Sequence, residues 1–342
     1  MPTRPTDHRS PITDQPPSPN TQHSTLTTND VILGIDGGGT RTVALLARRR
    51  AQSAGHDFEV VGRGVAGPSN HQAVGKDQAL AALDEAVNQA FSAAVVARAP
   101  VSAACLGLAG ADRPADREML SHWAASVSLS DRVRIENDGR LVLAAGTPDD
   151  WGLAVIAGTG SFALARTPDG RTARAGGWGY LLGDDCGAYS IALAGLRAVA
   201  RAIDGSGPPT AMTNEFLRRL GLATAAELIP TIYGGSLDRA AIAALAAVVT
   251  DADLADDATA QMILTSEADR LAAAAHAAAR ILTAGATAPV PLAFAGSVLI
   301  SCPSVADRLA SGLEGRGLHL GPVQLVDDPA RGAIRLAGAM LK

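Results

Sequence analysis

Two short glycine-rich segments contain the residues of this 342-residue chain that are best suited to chemistry. The first, residues 34–42 (GIDGGGTRT), places Asp36 at the end of an apolar run and before three consecutive glycines. Because glycine has no Cβ atom, these residues can turn successive backbone N–H groups toward one anion, and Thr40 and Thr42 can add hydroxyl donors. A carboxylate repels phosphate, so Asp36 suits this place if Mg²⁺ lies between the two. The pattern predicts a site for phosphate and magnesium.

The second segment, residues 158–161 (GTGS), is a turn of the same kind. Neither turn matches a P-loop, which requires a lysine and then serine or threonine after its glycines. The dinucleotide-binding motif opens a helix, whereas the β-branched residues after the first turn favour a strand. Two such turns, one from each half of the chain, are expected to hold the phosphates of a nucleotide across a cleft.

The predicted elements around the two turns occur twice in the same order. Strands at 31–36 and 43–47 flank the first turn, and apolar residues three or four apart between 76 and 96 indicate a helix. Residues 152–166 again contain a strand, a glycine turn and a strand. A helix-rich stretch follows, which includes a long helix at 258–284 with one apolar face. We therefore predict an α/β protein made of two related halves.

Composition narrows the class of protein. The chain is 47% apolar and 18% charged, its net charge is −5, and its basic residues are scattered. Nucleic-acid binding needs a basic stripe, and a membrane helix needs roughly 18 unbroken apolar residues; the sequence has neither. We therefore expect a soluble cytoplasmic protein without a nucleic-acid or membrane partner.

Two further features concern the cysteines and the N-terminus. The three cysteines are far apart and lack the spacing of a disulfide framework or a zinc site, so we predict buried or half-buried, reduced thiols. Residues 1–28 are rich in Pro, Thr, Ser and Gln and lack an apolar stretch. They are predicted to be a disordered tail.

Five motifs occur in the order and spacing of a known family: GIDGGGTRT, ENDG, IAGTGS, GGWGYLLGDDCGAY and FAGSV. Through them the chain, from residue 32 to its C-terminus, resembles the N-acetylglucosamine kinases. These belong to the BadF/BadG ATPase group of the sugar kinase, heat-shock ATPase and actin superfamily. The resemblance implies two ribonuclease H-like (actin-like ATPase) domains around a central cleft. The expected domains are residues 29–140 and 141–328, with a C-terminal helix at 329–342 packing back on the first.

The resemblance also implies a reaction and its residues. Such enzymes transfer the γ-phosphoryl group of ATP to a sugar hydroxyl, typically the 6-hydroxyl, using Mg²⁺ and a carboxylate base. The ENDG motif assigns that base to Asp138, although strand alternation puts Glu136 on the same face and spacing does not separate them. Asp36 corresponds to the acid that organises the metal. The residues that correspond to the nucleotide-binding motifs are Gly38, Gly39, Thr40, Arg41, Thr42, Gly158, Thr159, Gly160, Ser161, Gly296 and Ser297.

Four residues correspond to the family's sugar site. Asn70 in GPSNHQ and Asp184 in GDD match residues that contact sugar hydroxyls, and Asp138 and Thr159 complete the implied site. Trp178 is expected to pack below it, with stacking on the substrate as the alternative.

The chain departs from the family close to this implied sugar site. It has Asp185, Cys186 and Gly187 where the family often has Glu-Gly-Ser, and Ala175 where some members have cysteine. These departures leave N-acetylglucosamine, glucosamine and N-acetylmuramic acid open as acceptors. A homodimer is implied by the resemblance alone.

Two other functions compete with a sugar kinase. Activators of benzoyl-CoA reductase in the same group are ATPases with an iron–sulfur cluster that bridges two subunits, and such a cluster needs thiolate ligands. Cys105 and Cys186 are not arranged to suggest one. A sugar sensor without turnover is expected to have lost its base or its metal acid, and this chain keeps both Asp36 and Asp138.

Overall fold

The computed structural model describes residues 31–50, 58–235, 237–283 and 288–341, with the backbone alone at Thr283. The predicted tail at residues 1–28 lies outside the described residues. Among the helices that the structure describes, none has the length and apolar character to cross a bilayer.

The first sheet consists of β1 (Val31–Gly37), β2 (Thr42–Arg49), β3 (Phe58–Ala66), β4 (Ala103–Leu108) and β5 (Val133–Glu136). Its strand order is β3-β2-β1-β4-β5. β1, β2 and β3 form an antiparallel meander, and β4 and β5 extend the sheet parallel to β1. β1 and β4 are near-continuous apolar runs because helices cover both faces of this sheet.

The second sheet repeats this arrangement with β6 (Gly152–Ala157), β7 (Ser161–Arg166), β8 (Thr172–Gly176), β9 (Val290–Ala295) and β10 (Leu320–Val326). Its order is β10-β9-β6-β7-β8, so β6 takes the place that β1 has in the first sheet. β6, β7 and β8 are antiparallel, and β9 and β10 run parallel to β6. The repeat confirms the predicted α/β fold of two actin-like units. β10, whose middle residues are exposed, was not predicted from the sequence.

The helices associated with the first sheet are α1 (His71–Val74), α2 (Lys76–Ala93), α3 (Pro114–Ser126) and α4 (Asp138–Gly146). α2 ends three residues before the predicted boundary at residue 96. Val95 adopts φ 58° and is 90% exposed, so it does not belong to the apolar face of the helix.

The remaining helices follow the second glycine turn. They are α5 (Ala188–Ile203), α6 (Met212–Leu220), α7 (Leu228–Tyr233), α8 (Arg239–Ala244), α9 (Ala246–Leu254), α10 (Ala258–Thr283), α11 (Ser297–Ser301), α12 (Pro303–Glu314) and α13 (Ala330–Ala339). The predicted apolar face of α10 is confirmed, since Leu264, Leu271 and Leu282 are buried in the core of the second unit.

Two helices join the units. Along α4, Leu141 packs with the first sheet, whereas the next residues, Val142 and Leu143, pack with β6 and β9. α13 crosses back to the first sheet, where it lies so close that a Cβ atom on Gly34 would be 2.8 Å from the backbone nitrogen of Ile334. The first residue of α4 is therefore held between the two units.

Candidate active site

A cleft of about 1000 Å³ separates the two units and is lined by residues from both. The structure brings most of the sequence-predicted site residues to its walls: Asp36, Gly38, Gly39, Thr40, Arg41, Asn70, Asp138, Gly158, Thr159, Gly160, Ser161, Asp184, Gly296 and Ser297. Thr42 is the exception. It is fully buried, and its hydroxyl donates to the carbonyl of Gly67 at 2.7 Å, so it has no donor left for a nucleotide.

The first glycine turn is stabilised from within. The N–H of Gly38 donates to the carbonyl of Arg41 at 3.0 Å, and the carbonyl of Gly38 accepts from the N–H groups of Ser69 and Asn70. The sequence predicted that the amides of all three glycines would face the anion. The turn offers fewer donors than this, because the Gly38 amide already donates to Arg41. The amides after Gly38 are the better donors to an anion.

The glycines of the two turns fall into two classes. A Cβ atom on Gly37 would lie 2.2 Å from Ser69 Oγ, and one on Gly160 would lie 2.4 Å from a carboxylate oxygen of Asp184, so a methyl group at either position would force its neighbour to move. A Cβ atom on Gly38 would meet protein no nearer than 3.7 Å, and one on Gly158 no nearer than 3.9 Å. Packing does not require glycine at Gly38 or Gly158, and both face the cleft. A ligand that lies against the backbone would require it.

The tips of the two turns meet across the cleft. The hydroxyls of Thr40 and Thr159, which are 119 residues apart in the sequence, lie 3.0 Å from each other. Gly296, from the third predicted nucleotide motif, lies behind the second turn with φ 92°, and a Cβ atom there would be 2.4 Å from the carbonyl oxygen of Ala157. All three motifs therefore converge on one region of the cleft.

Asp138 is the first residue of α4 and lines the cleft. The helix cap is its neighbour Asn137, whose side chain accepts from the N–H of Gly139 at 2.9 Å. Burial raises the pKa of Asp138 to about 6, against the opposing charge of Arg174. A carboxylate with a pKa in this range is well suited to accept a proton near neutral pH.

Glu136 points elsewhere, although strand alternation could not separate it from Asp138. It is the last residue of β5, and its carboxylate accepts from Arg134 at 2.6 Å and lies 3.9 Å from Arg140. Glu136 does not contribute to the cleft wall. The change from strand to helix between these two residues separates their side chains.

Asp36 lies at the end of β1 beside the first turn. Burial and the negative charge of Asp138 raise its pKa to about 7, while Arg41 acts in the opposite direction. Two carboxylates that oppose each other's ionisation form a donor set that a hard divalent cation would neutralise, and Mg²⁺ is bound through one or two carboxylates together with substrate phosphates. The residues present therefore fit Mg²⁺.

The predicted sugar residues lie on opposite walls of the cleft. Asn70 caps α1 and accepts from the N–H of Gln72 at 3.1 Å. Asp184 has φ 62°, and the backbone amides of Ser161 and Gly179 hydrogen-bond to its carboxylate. Aspartate adopts this left-handed conformation more readily than most residues, and it places the carboxylate directly beside Gly160 of the second turn.

Trp178 corrects one expectation. It was predicted to pack below the site, but it is 74% exposed and lines the cleft. The glycines on either side of it, Gly177 and Gly179, both have positive φ, so the chain turns outward here and leaves the ring with little to pack against.

Among the charged residues of the cleft that sequence reasoning missed are Asp112, Arg174 and Arg239. Asp112, from the first unit, forms an ion pair with Arg174, from the second, and Asn137 donates to Asp112 at 3.0 Å. The guanidinium of Arg174 also stacks on the ring of Phe162, 4.9 Å from its centroid. Arg239 lies over the ring of Tyr180. Asp112 follows a buried strand and a glycine, and that position could have signalled it; the two arginines lie in segments with no local signal.

The thiols lie away from the cleft. Cys105, Cys186 and Cys302 are all buried and unpaired, the first in the core of one unit and the others in the core of the second. Burial raises the pKa of Cys105 to about 12. The prediction of buried thiols is confirmed. In the part of the chain that the structure describes, no three His, Cys, Asp or Glu residues cluster to hold a metal ion.

Comparison with known proteins assigns the class of molecule. The model of the BadF/BadG/BcrA/BcrD ATPase family matches residues 33–315, and the chain belongs to that family. The chain is 29% identical over 306 residues to an N-acetylmuramic acid/N-acetylglucosamine kinase of Clostridium acetobutylicum, covering 90% of this chain and 97% of that protein.

Two further relatives are also described as established or candidate N-acetylglucosamine kinases. An N-acetyl-D-glucosamine kinase of Dictyostelium discoideum is 32% identical over 213 residues, covering 60% of this chain and 65% of that protein. A crystal structure of a Chromobacterium violaceum protein, described as a candidate N-acetylglucosamine kinase, superposes with a TM-score of 0.67. It is 26% identical, and the match covers 91% of this chain and all of that one. The family and these relatives support use of ATP and an enzyme of the sugar kinase class.

Proposed function

We propose that this protein is an ATP-dependent amino-sugar kinase that transfers the γ-phosphoryl group to the 6-hydroxyl of N-acetylglucosamine or a close relative. The observation that carries this proposal is the pair of glycine turns that face each other across one cleft, with Asp138 on the wall of the same cleft. Gly38 and Gly158 leave space for phosphates against the backbone, and Asp138 supplies a base.

In the proposed reaction, the residues divide into two groups. The two turns bind the phosphates of ATP, and the segment at Gly296 and Ser297 receives the adenosine. Asn70 and Asp184 bind and orient the sugar so that one hydroxyl points at Asp138. The proton of that hydroxyl passes to Asp138 as its oxygen attacks the γ-phosphorus and the electron pair of the broken bond leaves with ADP.

The proposal includes Mg²⁺, which Asp36 would hold near the phosphates. When bound, Mg²⁺ neutralises charge on the phosphate oxygens and lowers the pKa of the carboxylates beside it. We also propose two domains, at residues 29–140 and 141–328, with residues 329–342 packed on the first. We further propose that the protein is a homodimer and that it acts in the cytoplasm, where ATP is available. Light scattering of the purified protein tests the homodimer.

The acceptor is tested by ADP release with Mg-ATP against a panel. The panel contains N-acetylglucosamine, glucosamine, N-acetylmuramic acid, N-acetylmannosamine, glucose and no sugar. We expect turnover with one or more of the first three and loss of that turnover in the Asp138→Asn variant. Hydrolysis that is indifferent to every sugar would contradict the proposal and favour an activator-type ATPase. Sugar binding without turnover would favour a sensor.

A further inference from the structure

Arg239 extends from the second unit toward the first glycine turn. It is the first residue of α8, after Asp238, whose carboxylate accepts from the N–H of Ala241 at 2.7 Å and so fixes the start of the helix. One terminal guanidinium nitrogen of Arg239 is 3.4 Å from the place that a Cβ atom on Gly39 would occupy. This cation from one unit therefore lies directly beside the phosphate-binding turn of the other.

An aromatic ring holds the side chain in place. The guanidinium carbon of Arg239 lies 5.4 Å from the centroid of Tyr180, and that ring makes an edge contact with Tyr189 at 5.0 Å between centroids. Stacking on an aromatic face leaves the N–H donors of a guanidinium in its own plane, free to bind an acceptor. Tyr180 therefore orients Arg239 without using its hydrogen-bonding capacity.

Arg239 has no carboxylate partner among the described residues. Its charge acts on Asp184, but no described carboxylate lies within ion-pair distance of it. Arg174, on the same wall, differs because it is paired with Asp112 and also donates to the carbonyl of Gly177 at 3.1 Å. A half-buried, oriented guanidinium with unused donors is suited to an anionic ligand, and a planar phosphoryl edge matches its geometry.

We infer that Arg239 binds the γ-phosphoryl group of ATP and stabilises the negative charge that develops on it during transfer. The inference rests on the proposed function, because the first glycine turn beside Arg239 is the proposed phosphate site. It makes Arg239 a catalytic residue supplied by the second unit, so that the cation completes the site only when both units enclose the nucleotide. The step itself is unchanged: one phosphorus–oxygen bond forms, one breaks toward ADP, and Asp138 takes the proton.

The test compares Arg239→Gln and Arg239→Lys with a control, Arg218→Gln. Arg218 is an exposed arginine on α6 whose only ion pair among the described residues is with Glu215. Calorimetry measures the affinity of each protein for Mg-ADP and for a non-hydrolysable Mg-ATP analogue. We expect Arg239→Gln to weaken the analogue about tenfold and to leave ADP within about twofold, because ADP lacks the γ-phosphoryl group. Arg239→Lys keeps the charge but not the planar fork and is expected to fall between these values.

Turnover supplies a second measurement. With the acceptor sugar, Arg239→Gln should lower kcat about 100-fold or more with little change in the KM for sugar, and Arg218→Gln should match the wild type. Equal weakening of ADP and the analogue, or an increase confined to the sugar KM, would overturn the inference; circular dichroism of Arg239→Lys controls for misfolding. If no sugar is phosphorylated but the analogue still discriminates, the inference stands and the proposed acceptor fails.

Discussion

The two glycine turns share one backbone plan but obtain their acids in different ways. In the first turn, the strand that enters it supplies Asp36. The equivalent strand before the second turn ends in Ile156 and Ala157, and the acid beside this turn is Asp184, from a loop that follows β8. The difference shows how a repeated fold acquires two roles: we assign the local acid to the metal and phosphates, and the loop-borne acid to the sugar.

The turns also differ in the order of their packed and open glycines, where an open glycine has room for a Cβ atom. In the first, Gly37 is packed and Gly38 is open, whereas in the second Gly158 is open and Gly160 is packed against Asp184. The open glycine is the first residue after the strand in both turns, but the packed glycine precedes it in the first turn and follows it in the second. Each turn therefore exposes the backbone of one glycine to the same cleft, and its second glycine packs against protein on the opposite side of that residue in the sequence.

The largest expected effect concerns neither turn but the carboxylate between them. Asp138→Asn should lower kcat by about 10³-fold, because the base is removed while the shape of the site is kept. In the wild type, kcat should fall as the pH is lowered below about 6, since burial raises the pKa of Asp138, bound Mg²⁺ opposes that rise, and only the ionised form accepts a proton. Steady-state ADP release across pH 5 to 8 measures both.

The control for this prediction is Glu136→Gln, which removes a nearby carboxylate that faces Arg134 outside the cleft. It should leave kcat within a few-fold of the wild type. A greater loss in Glu136→Gln than in Asp138→Asn would move the base to Glu136.

The two classes of glycine give the next effect. Gly37→Ala should destabilise the fold by about 2 kcal/mol, because the new methyl group would overlap Ser69 and Leu108. Gly38→Ala should change the free energy of unfolding by less than about 1 kcal/mol but raise the Kd for Mg-ATP, because its methyl group enters the proposed phosphate site. Urea unfolding and nucleotide calorimetry separate the two. If Gly37→Ala and Gly38→Ala changed the free energy of unfolding and the Kd for Mg-ATP by equal amounts, the distinction between packed and open glycines would be wrong.

The acids of the two turns should differ in their effect on stability. The pKa of Asp36 is about 7 in the folded protein, whereas the same carboxyl group in the unfolded chain has a pKa near 4. Between these two values the unfolded chain has lost the proton that the folded protein still holds. Stability should therefore fall as the pH rises between these values, and Asp36→Asn should stabilise the metal-free protein at pH 8 by about 2 kcal/mol and have little effect at pH 4. Thermal unfolding in a chelator measures this.

Asp184→Asn is the matched variant for the second turn. Asparagine tolerates φ 62°, and burial raises the pKa of Asp184 too, but the hydrogen bonds from the amides of Ser161 and Gly179 oppose that rise, so a smaller gain at pH 8 is expected than for Asp36→Asn. A gain as large as that of Asp36→Asn would show that the two acids are equivalent.

The smallest effect concerns the contact between the turns. Thr40→Val and Thr159→Val each remove one hydroxyl of the pair that lies 3.0 Å apart, and each should raise the KM for ATP a few-fold. The double variant should lose less than the sum of the single variants, by about 1 kcal/mol, because the hydrogen bond can be lost only once. Strict additivity in this double-mutant cycle would show that the two turns act independently.

Local pattern determined much of this protein. The apolar and β-branched residues around the glycines specify the two hairpins, and the 3.6-residue period of apolar side chains specifies α10, because each depends on neighbours in the chain. The resemblance carried by five motifs then predicted the doubled fold and most of the cleft wall, including Asp36, Asp138 and Asp184.

Tertiary structure decided what near neighbours could not. Only the start of α4 directly after β5 separates Asp138 from Glu136, and only the outward path of the chain exposes Trp178. Asp112 meets Arg174, and Arg239 reaches the first turn, because the order of strands and helices brings two units together across the cleft. Pairs of this kind leave no periodic trace in a sequence, since their geometry belongs to the packing of whole sheets and helices rather than to any short segment.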